Sequence, residues 1–180
     1  MRIISGAFKG RRLIAPKNLP VRPTTDRAKE ALFNILNNQF HWDEITTLDL
    51  FSGTGNISYE LASRGVNQLT AVDQNKHCTY FIHQTAQRFE MPITVIKNSV
   101  ERFLSQSSGS FDFIFADPPY AFTVGQLTEL ANQLLENKWL TPTGILVIEH
   151  DSHLDLSQHS SCYEARTYGS SCFSFFALEE

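Results

Sequence analysis

Residues 111–120 read Phe-Asp-Phe-Ile-Phe-Ala-Asp-Pro-Pro-Tyr. The first six are mostly apolar and predict a buried strand. The two prolines end that strand, because proline cannot continue a central strand, and they stiffen the chain as it leaves the sheet. Asp117, the carbonyl of Pro118 and the ring of Tyr120 are thereby held together at a strand end. A carboxylate, a free carbonyl and a flat aromatic face suit a planar ring that carries an amino group.

Strands and helices alternate on both sides of this stretch. The apolar patterns predict strands at 47–50, 69–72, 93–96, 111–116, 144–148, 163–167 and 172–178, and helices at 55–62, 76–89, 100–104 and 127–135. Repeated strand–helix units imply a parallel sheet with helices on both faces. The last two strands flank Gly169 and Ser170 without a helix between them, which predicts an antiparallel hairpin. We therefore expect an α/β, Rossmann-like fold with a mostly parallel seven-stranded sheet and a C-terminal antiparallel hairpin.

The start of the chain predicts an extension to that sheet. Residues 2–14 have the pattern of a small β-hairpin. A helix with one apolar face is expected to begin at Thr25 or Asp26, since either is a good N-cap. Arg27 and Lys29 lie off the apolar face, and we expect both to reach solvent or a partner.

The charge of the chain is unevenly distributed. Residues 1–30 hold eight basic and two acidic side chains, a net charge of +6, whereas the remainder carries −10 and the whole chain −4. Such asymmetry predicts a basic contact arm on an acidic body, with a merely solvated terminal segment as the alternative. We divide the chain into a hairpin-and-helix extension over residues 1–40 and a main domain over residues 41–180.

A glycine loop joins the first strand of the main domain to its helix. Gly53 and Gly55 allow a tight turn and a close backbone approach to a ligand. Asp73 ends the next strand, where a carboxylate can accept hydrogen bonds from both ribose hydroxyls, and Asn98 and Ser99 follow the third strand, where they can frame an adenine. Because the carboxyl ends of parallel strands meet at one edge of the sheet, these residues predict a nucleoside cofactor.

Asp49, in the strand just before the loop, narrows the choice of cofactor. The third glycine of the dinucleotide pattern is absent. A carboxylate would repel a diphosphate but attract an ammonium group. S-adenosylmethionine carries an ammonium group and a sulfonium and no phosphate, so we expect it to be the cofactor, bound by Asp49, Phe51 and the loop. A hydrogen bond from Asp49 to the backbone of the glycine turn is a second role that can coexist with the first.

The predicted chemistry is the transfer of a methyl group to the exocyclic amine of a purine. That amine is a poor nucleophile, because its lone pair is delocalised into the ring. Asp117 and the Pro118 carbonyl can accept its two N–H bonds, which localises the pair and aligns the nitrogen with the methyl group. Asp117 can also take the departing proton, and Tyr120 can stack on a base turned out of its helix. A strand-ending turn with a buried tyrosine is the alternative.

Composition favours one globular cytoplasmic protein. The 180 residues suffice for a hydrophobic core, no apolar run is long enough to span a bilayer, and the N-terminus lacks the apolar core of a signal peptide. Three scattered cysteines fit neither a zinc site nor a disulfide framework. Residues 149–153 include possible metal ligands, but spacing fixes no partner for them, so we expect a polar loop and no metal.

Taken together, the motifs at 49–55, 73 and 117–120 resemble those shared by class I S-adenosylmethionine-dependent amino-methyltransferases. Residues 2–13 and, above all, Arg-Pro-Thr-Thr-Asp-Arg at 22–27 are similar to the opening of the RsmD family. That resemblance implies methylation of the N2 amine of a guanine in 16S ribosomal RNA of an assembled or nearly assembled small ribosomal subunit. The residues that would contact this RNA are Arg11, Arg12, Arg22, Thr24, Thr25 and Arg27.

Two places depart from the family pattern. After Gly55 the family tends to have Ala-Leu-Gly, whereas this chain has Asn-Ile-Ser at 56–58. Tyr168 and Gly169 are followed by Ser-Ser-Cys rather than by an acidic or threonine pair. The packing of the loop helix and the role of the C-terminal hairpin are therefore the parts that the resemblance does not define.

Other functions stay open. An amino-methyltransferase that acts on DNA adenine uses the same tetrapeptide, although such enzymes usually add a recognition domain for which this chain has no room. A non-catalytic ribosome-assembly protein that keeps the fold is the second alternative, and the intact acid-and-aromatic tetrapeptide argues against it. A nicotinamide-dependent dehydrogenase is disfavoured by the incomplete glycine pattern.

Overall fold

The computed structural model describes residues 1–19 and 24–178, in which strands and helices alternate as far as the fifth strand. The helices are α1 (Asp26–Leu36), α2 (Asn56–Arg64), α3 (Lys76–Arg88), α4 (Val100–Gln106) and α5 (Val124–Glu136). The strands are β1 (Thr46–Leu50), β2 (Gln68–Asp73), β3 (Ile93–Lys97), β4 (Phe111–Ala116), β5 (Leu140–Asp151), β6 (Cys162–Tyr168) and β7 (Ser171–Phe176). In this part of the chain, none of the helices combines the length and the apolar character that crossing a bilayer requires.

The strands form one sheet in the order β3-β2-β1-β4-β5-β7-β6. Strands β1 to β5 are parallel, β7 is antiparallel to β5, and β6 is antiparallel to β7. The predicted α/β fold, with a mostly parallel seven-stranded sheet and a C-terminal antiparallel hairpin, is confirmed. From β1 the chain continues to β2 and β3 on one side of the sheet, and from β4 it continues to β5 on the other side. Parallel sheets with such a reversal of strand order have a crevice between the two strands where the order reverses, here β1 and β4.

The hydrophobic core lies on both faces of the sheet because side chains alternate along each strand. Phe113 and Phe115 of β4 join one cluster, which also contains Ile3 near the N-terminus and Leu32 of α1. Ile114, between the two phenylalanines, belongs to a second cluster on the opposite face. Residues on either side of position 40 share the first cluster, and the division of the chain at that position stays a prediction.

The N-terminal segment lies against α2. The segment turns back on itself where a hairpin was predicted, but it does not form two strands. Arg2 and Arg12 form a single isolated antiparallel bridge. Gly6 has a φ of +81°, and a Cβ atom added there would lie 1.7 Å from the carbonyl oxygen of Ser63. Ala7 N–H donates to the same oxygen at 2.7 Å. Only glycine lets the backbone pass this close to the helix.

The prediction that Lys29 reaches solvent or a partner is wrong. Its side chain is 1% exposed and donates to the carbonyl oxygen of Arg2 at 2.6 Å and to Oδ1 of Asn56 at 2.8 Å. The Lys29 Nζ also lies 3.5 Å from the Glu60 carboxylate. Burial lowers the pKa of Lys29, and the charge of Glu60 opposes that change. Periodicity of apolar residues cannot reveal such a site, because its partners come from distant parts of the chain. Arg27 is exposed, as expected.

Glu60, on α2, contacts Lys29 and also binds the backbone of the N-terminal segment. Its carboxylate is fully buried and accepts hydrogen bonds from Ile4 N–H at 2.8 Å, Ser5 N–H at 3.0 Å and Arg64 Nε at 3.0 Å. One buried carboxylate thus joins the N-terminal segment, α1 and α2.

Strand β5 is longer than predicted at both ends. It begins at Leu140, which pairs with Phe111 of β4, and the register shifts before residue 113. It ends at Asp151, so Glu149 and His150 pair with β7 and do not lie in a loop. The predicted polar loop is therefore wrong for residues 149–151. The partner strand β7 stabilises polar residues in an extended conformation that their own composition does not indicate.

Candidate active site

A cavity of about 470 Å³ lies at the carboxyl edge of the sheet, at the ends of β1 and β4. Of the residues predicted to bind the cofactor, its wall includes Asp49, Phe51, Gly53, Asp73 and Ser99. Of the residues predicted to hold the amine, the same wall includes Asp117, Pro118 and Tyr120. The fold therefore brings the predicted amine-holding residues and five of the seven predicted cofactor-binding residues to one cavity, whereas Gly55 and Asn98 are not on its wall.

The glycine loop has the backbone conformations that its sequence predicts. Gly53 and Gly55 have φ values of +53° and +86°, and Phe51 is a non-glycine residue at +56°. A Cβ atom added at Gly55 would lie 2.8 Å from the ring of Tyr59, so this glycine allows α2 to begin close behind the loop. The N–H of Gly53 donates to Oδ2 of Asp73 at 2.8 Å, which connects the loop to the end of β2.

Asp49 is a buried carboxyl group on the cavity wall. It is 1% exposed, and its Oδ2 accepts a hydrogen bond of 2.5 Å from the hydroxyl of Ser58 on α2. Burial raises the pKa of Asp49 to about 7, although the hydrogen bonds from Ser58 act in the opposite direction. A carboxylate whose ionisation is opposed by burial is stabilised by a cation beside it. Ser58 is one of the departures from the family pattern, and here it serves as the donor to Asp49.

The end of β2 and the start of α4 form the far side of the cavity. Asp73 also accepts the N–H of Asn75 at 2.8 Å, and each of its oxygens keeps a further lone pair. Ser99 lies on the wall and caps α4 by accepting the N–H of Arg102. Asn98 lies outside the wall, and its backbone N–H donates to the carbonyl of Asp73 at 3.1 Å.

Sequence reasoning missed several wall residues at these strand ends. Gln74, Asn75 and Cys78 follow β2, and Val100 and Glu101 follow Ser99. The rule that placed Asp73 at the sheet edge applies equally to the residues directly after it, and that signal was available in the sequence.

The tetrapeptide at 117–120 continues β4 beyond the sheet. Asp117 N–H donates to the carbonyl of Leu50 at the end of β1, at 3.2 Å. Burial first, and then the charges of Glu149 and Asp49, raise the pKa of Asp117 well above its ordinary value. Ionisation of Asp117 is therefore sensitive to whatever neutralises its acidic neighbours.

Tyr120 is tied to the C-terminal hairpin. Its hydroxyl lies 3.0 Å from that of Ser171, the first residue of β7, and its ring is half-buried on the cavity wall. Ser171 belongs to the second departure from the family pattern. The hairpin thus holds the aromatic face that is predicted to meet the base.

Arg11, one of the arginines predicted to contact RNA, is exposed and precedes α1. The guanidinium of Arg11 lies 4.1 Å from the ring centre of Phe89 at the end of α3, and Arg88 lies 5.2 Å from the same ring. Arg12 is also exposed. A guanidinium stacked on an aromatic ring keeps its N–H edge for a phosphate.

The rest of the predicted arm leads into α1. Arg22 lies outside the described residues. Thr24 is buried, its hydroxyl donates to Oε2 of Glu149 at 2.5 Å, and Thr25 caps α1. In this conformation the Thr24 hydroxyl is used inside the protein. Among the residues that the structure describes, no three His, Cys, Asp or Glu side chains are grouped as metal ligands.

Comparison with known proteins gives the family of the chain. The family model described as conserved hypothetical protein 95 matches residues 1–177. The chain belongs to this RsmD family. The ribosomal RNA small subunit methyltransferase D of Haemophilus influenzae is 33% identical over 154 residues, which are 83% of this chain and 78% of that one. The expectation of a methyltransferase is confirmed.

Solved structures place this RsmD-family protein in the same fold class. A hypothetical protein of Thermus thermophilus superposes with a TM-score of 0.85 at 26% identity, over 99% of both chains. RsmC of Thermus thermophilus, a 16S rRNA N2 methyltransferase solved with AdoMet and guanosine, superposes with a TM-score of 0.69. At 17% identity, over 89% of this chain and 45% of that one, this second likeness shows the fold alone.

Proposed function

We propose that this RsmD-family enzyme transfers the methyl group of S-adenosylmethionine to the N2 amine of a guanine in 16S ribosomal RNA of the small ribosomal subunit. The observation that carries the proposal is the shared cavity: Asp49 and Asp117, from the neighbouring strands β1 and β4, lie on one wall. The curated relative from Haemophilus influenzae is named for ribosomal RNA of the small subunit, which supports the substrate class.

The residues of the cavity fit the cofactor. Asp49 would hold the ammonium group. Burial raises its pKa to about 7, and a neighbouring cation would stabilise the ionised carboxylate. Asp73 would accept the ribose hydroxyls with its remaining lone pairs, Gly53 allows close approach of the loop, and Ser99 borders the adenine. The bound cofactor supplies a methyl group activated by its sulfonium.

The tetrapeptide would hold the guanine amine against that methyl group. Asp117 and the carbonyl of Pro118 accept the two N–H bonds, and Tyr120 supports the base plane. Asp117 would take one N–H proton as the amine nitrogen accepts the methyl group, and the electron pair of the broken S–C bond would stay on the cofactor's sulfur. Alignment of nitrogen, carbon and sulfur contributes a large part of the rate.

The N-terminal arm would position the RNA. Arg11, Arg12, Arg22 and Arg27 would contact phosphates, which fix orientation without reading sequence. Replacing Arg11 with alanine should weaken binding to small subunits and reduce its salt dependence. Binding that is insensitive to salt would contradict the arm.

The decisive test compares Asp117→Ala with the wild type in radiolabelled methyl transfer to small subunits, naked 16S RNA and duplex DNA. We expect transfer to small subunits by the wild type, loss of transfer in the variant, and unchanged S-adenosylhomocysteine binding by calorimetry. Asp43→Ala, which changes an exposed aspartate, is the control and should behave like the wild type. Near-normal turnover by folded Asp117→Ala would refute its role, and transfer to DNA instead of RNA would favour an adenine target.

A further inference from the structure

Two carboxyl groups lie side by side at the ends of β4 and β5. Phe115 pairs with Val147 in parallel register. Asp117, directly after the end of β4, and Glu149, within β5, each lie two residues further along the chain. Because side chains alternate, both carboxyl groups project from the same face of the sheet as lateral neighbours. The proposed mechanism assigns a role to Asp117 and none to Glu149.

Glu149 is held in place from the side of the N-terminal extension. It is 2% exposed, and Thr24 donates its hydroxyl to Oε2 at 2.5 Å. Thr24 is itself fixed, since its carbonyl accepts a hydrogen bond from Nδ2 of Asn56 at 2.9 Å. A hydroxyl donor favours the ionised form of the carboxylate that accepts it, and Thr24 donates to Glu149 in this way.

Within the part of the chain that the structure describes, the charged groups that raise the pKa of Asp117 are Glu149 from β5 and Asp49 from β1. Both oppose its ionisation. Asp49 is the residue that would hold the cofactor's ammonium group, and its charge is then neutralised. Of these two groups, Glu149 would then be the one whose charge still acts on Asp117.

We propose that Glu149 is a positioning residue for methyl transfer: its carboxylate, held by Thr24, makes Asp117 a stronger base toward the amine. This inference rests on the proposed function. The step is the one given above, in which the N–H proton passes to Asp117 as the N–C bond forms and the S–C bond breaks. Glu149 does not touch the amine, and it acts by opposing the negative charge on Asp117 until the proton arrives.

The test is the dependence of kcat/KM on pH, with small subunits as substrate. In Glu149→Gln, the acid limb that reports ionisation of Asp117 should move to lower pH by about one unit. The maximal rate should fall about threefold, because a base weakened by about one pKa unit takes the proton less readily and the transfer is only partly complete in the transition state. Thr24→Val should move the limb in the same direction by a smaller amount. Glu129→Gln, an exposed charge on α5, should match the wild type.

A second measurement does not need activity. In protein with ¹³C-labelled aspartate, the Asp117 carboxyl signal, assigned by Asp117→Asn, should titrate at lower pH in folded Glu149→Gln than in the wild type. An unmoved titration would overturn the inference, and if Glu149→Gln does not fold, an unmoved titration in Thr24→Val does so. A wild type that transfers no methyl group would refute the proposed function and leave the titration readable.

Discussion

Replacing Lys29 with methionine should destabilise the fold by about 3 kcal/mol, the lower end of the range for breaking a buried ion pair. The Lys29 ammonium lies 3.5 Å from the Glu60 carboxylate, and both side chains are almost fully buried. At an effective dielectric constant of about 20, that separation corresponds to a gross attraction of about 5 kcal/mol. Burial of the ammonium offsets part of it. Glu60 also keeps its bonds to Ile4, Ser5 and Arg64, so the remaining charge is not left alone.

The reverse change should have a larger effect. Glu60→Leu leaves the Lys29 ammonium buried without its counter-charge and removes the acceptor of the Ile4 and Ser5 N–H groups, which should destabilise the fold by about 5 kcal/mol. The double variant Lys29→Met/Glu60→Leu removes both charges together. It should therefore be about 2–3 kcal/mol more stable than the sum of the single effects predicts.

Urea unfolding at neutral pH, followed by circular dichroism, measures these differences. Glu164→Gln is the matched control, because the ion pair of Glu164 with Arg166 reaches solvent, with side chains that are 28% and 57% exposed. An exposed pair contributes at most about 1 kcal/mol. Two results together would contradict this reasoning: Lys29→Met changes the free energy of unfolding no more than the control does, and the effects of the two single variants add. The contact between Lys29 and Glu60 would then make no net contribution to stability.

Three further predictions concern the cavity. Because burial raises the pKa of Asp49 to about 7, its ionisation opposes folding. The contribution of Asp49 to the free energy of unfolding should therefore fall by about 3 kcal/mol as the pH rises from about 4 to about 7. Asp49→Asn should remove that part of the pH dependence in urea unfolding at several pH values. Gly55→Ala combines a φ of +86° with a Cβ atom 2.8 Å from the ring of Tyr59. It should weaken S-adenosylhomocysteine binding at least about tenfold by calorimetry, and unchanged affinity would contradict the role of the loop. Ser171→Ala removes the hydrogen bond to Tyr120 and should raise KM for small subunits about fivefold at unchanged cofactor affinity, whereas an unaltered KM would show that the hairpin does not set the ring.

Much of the fold could be predicted because its signals are local. Strands β1 to β4 are short apolar runs between glycine, proline and polar residues, and the stripe of α5 repeats at helical spacing. The ends of β5 could not be predicted in this way. Its polar residues 149–151 are strand because β7 pairs with them, and their partners lie twenty or more residues away in the chain.

The same distinction between local and distant signals applies to the candidate site. Asp49, Asp73 and Asp117 could be placed together because a parallel sheet brings its strand ends to one edge. The buried contacts of Lys29 and Glu149 could not, since each depends on groups from separate segments meeting in the folded chain. Sequence patterns report what one segment prefers, and these two residues are explained by what their neighbours supply.

The close passage of Gly6 over Ser63 limits how this protein can be re-engineered. An arm borrowed from a relative would not attach as an independent module, because its backbone would have to fit the surface of this particular α2 at atomic distance. Chimeras that exchange the first residues should therefore fail unless α2 is exchanged with them. The same restriction applies in evolution, so the N-terminal segment and α2 should change together rather than independently.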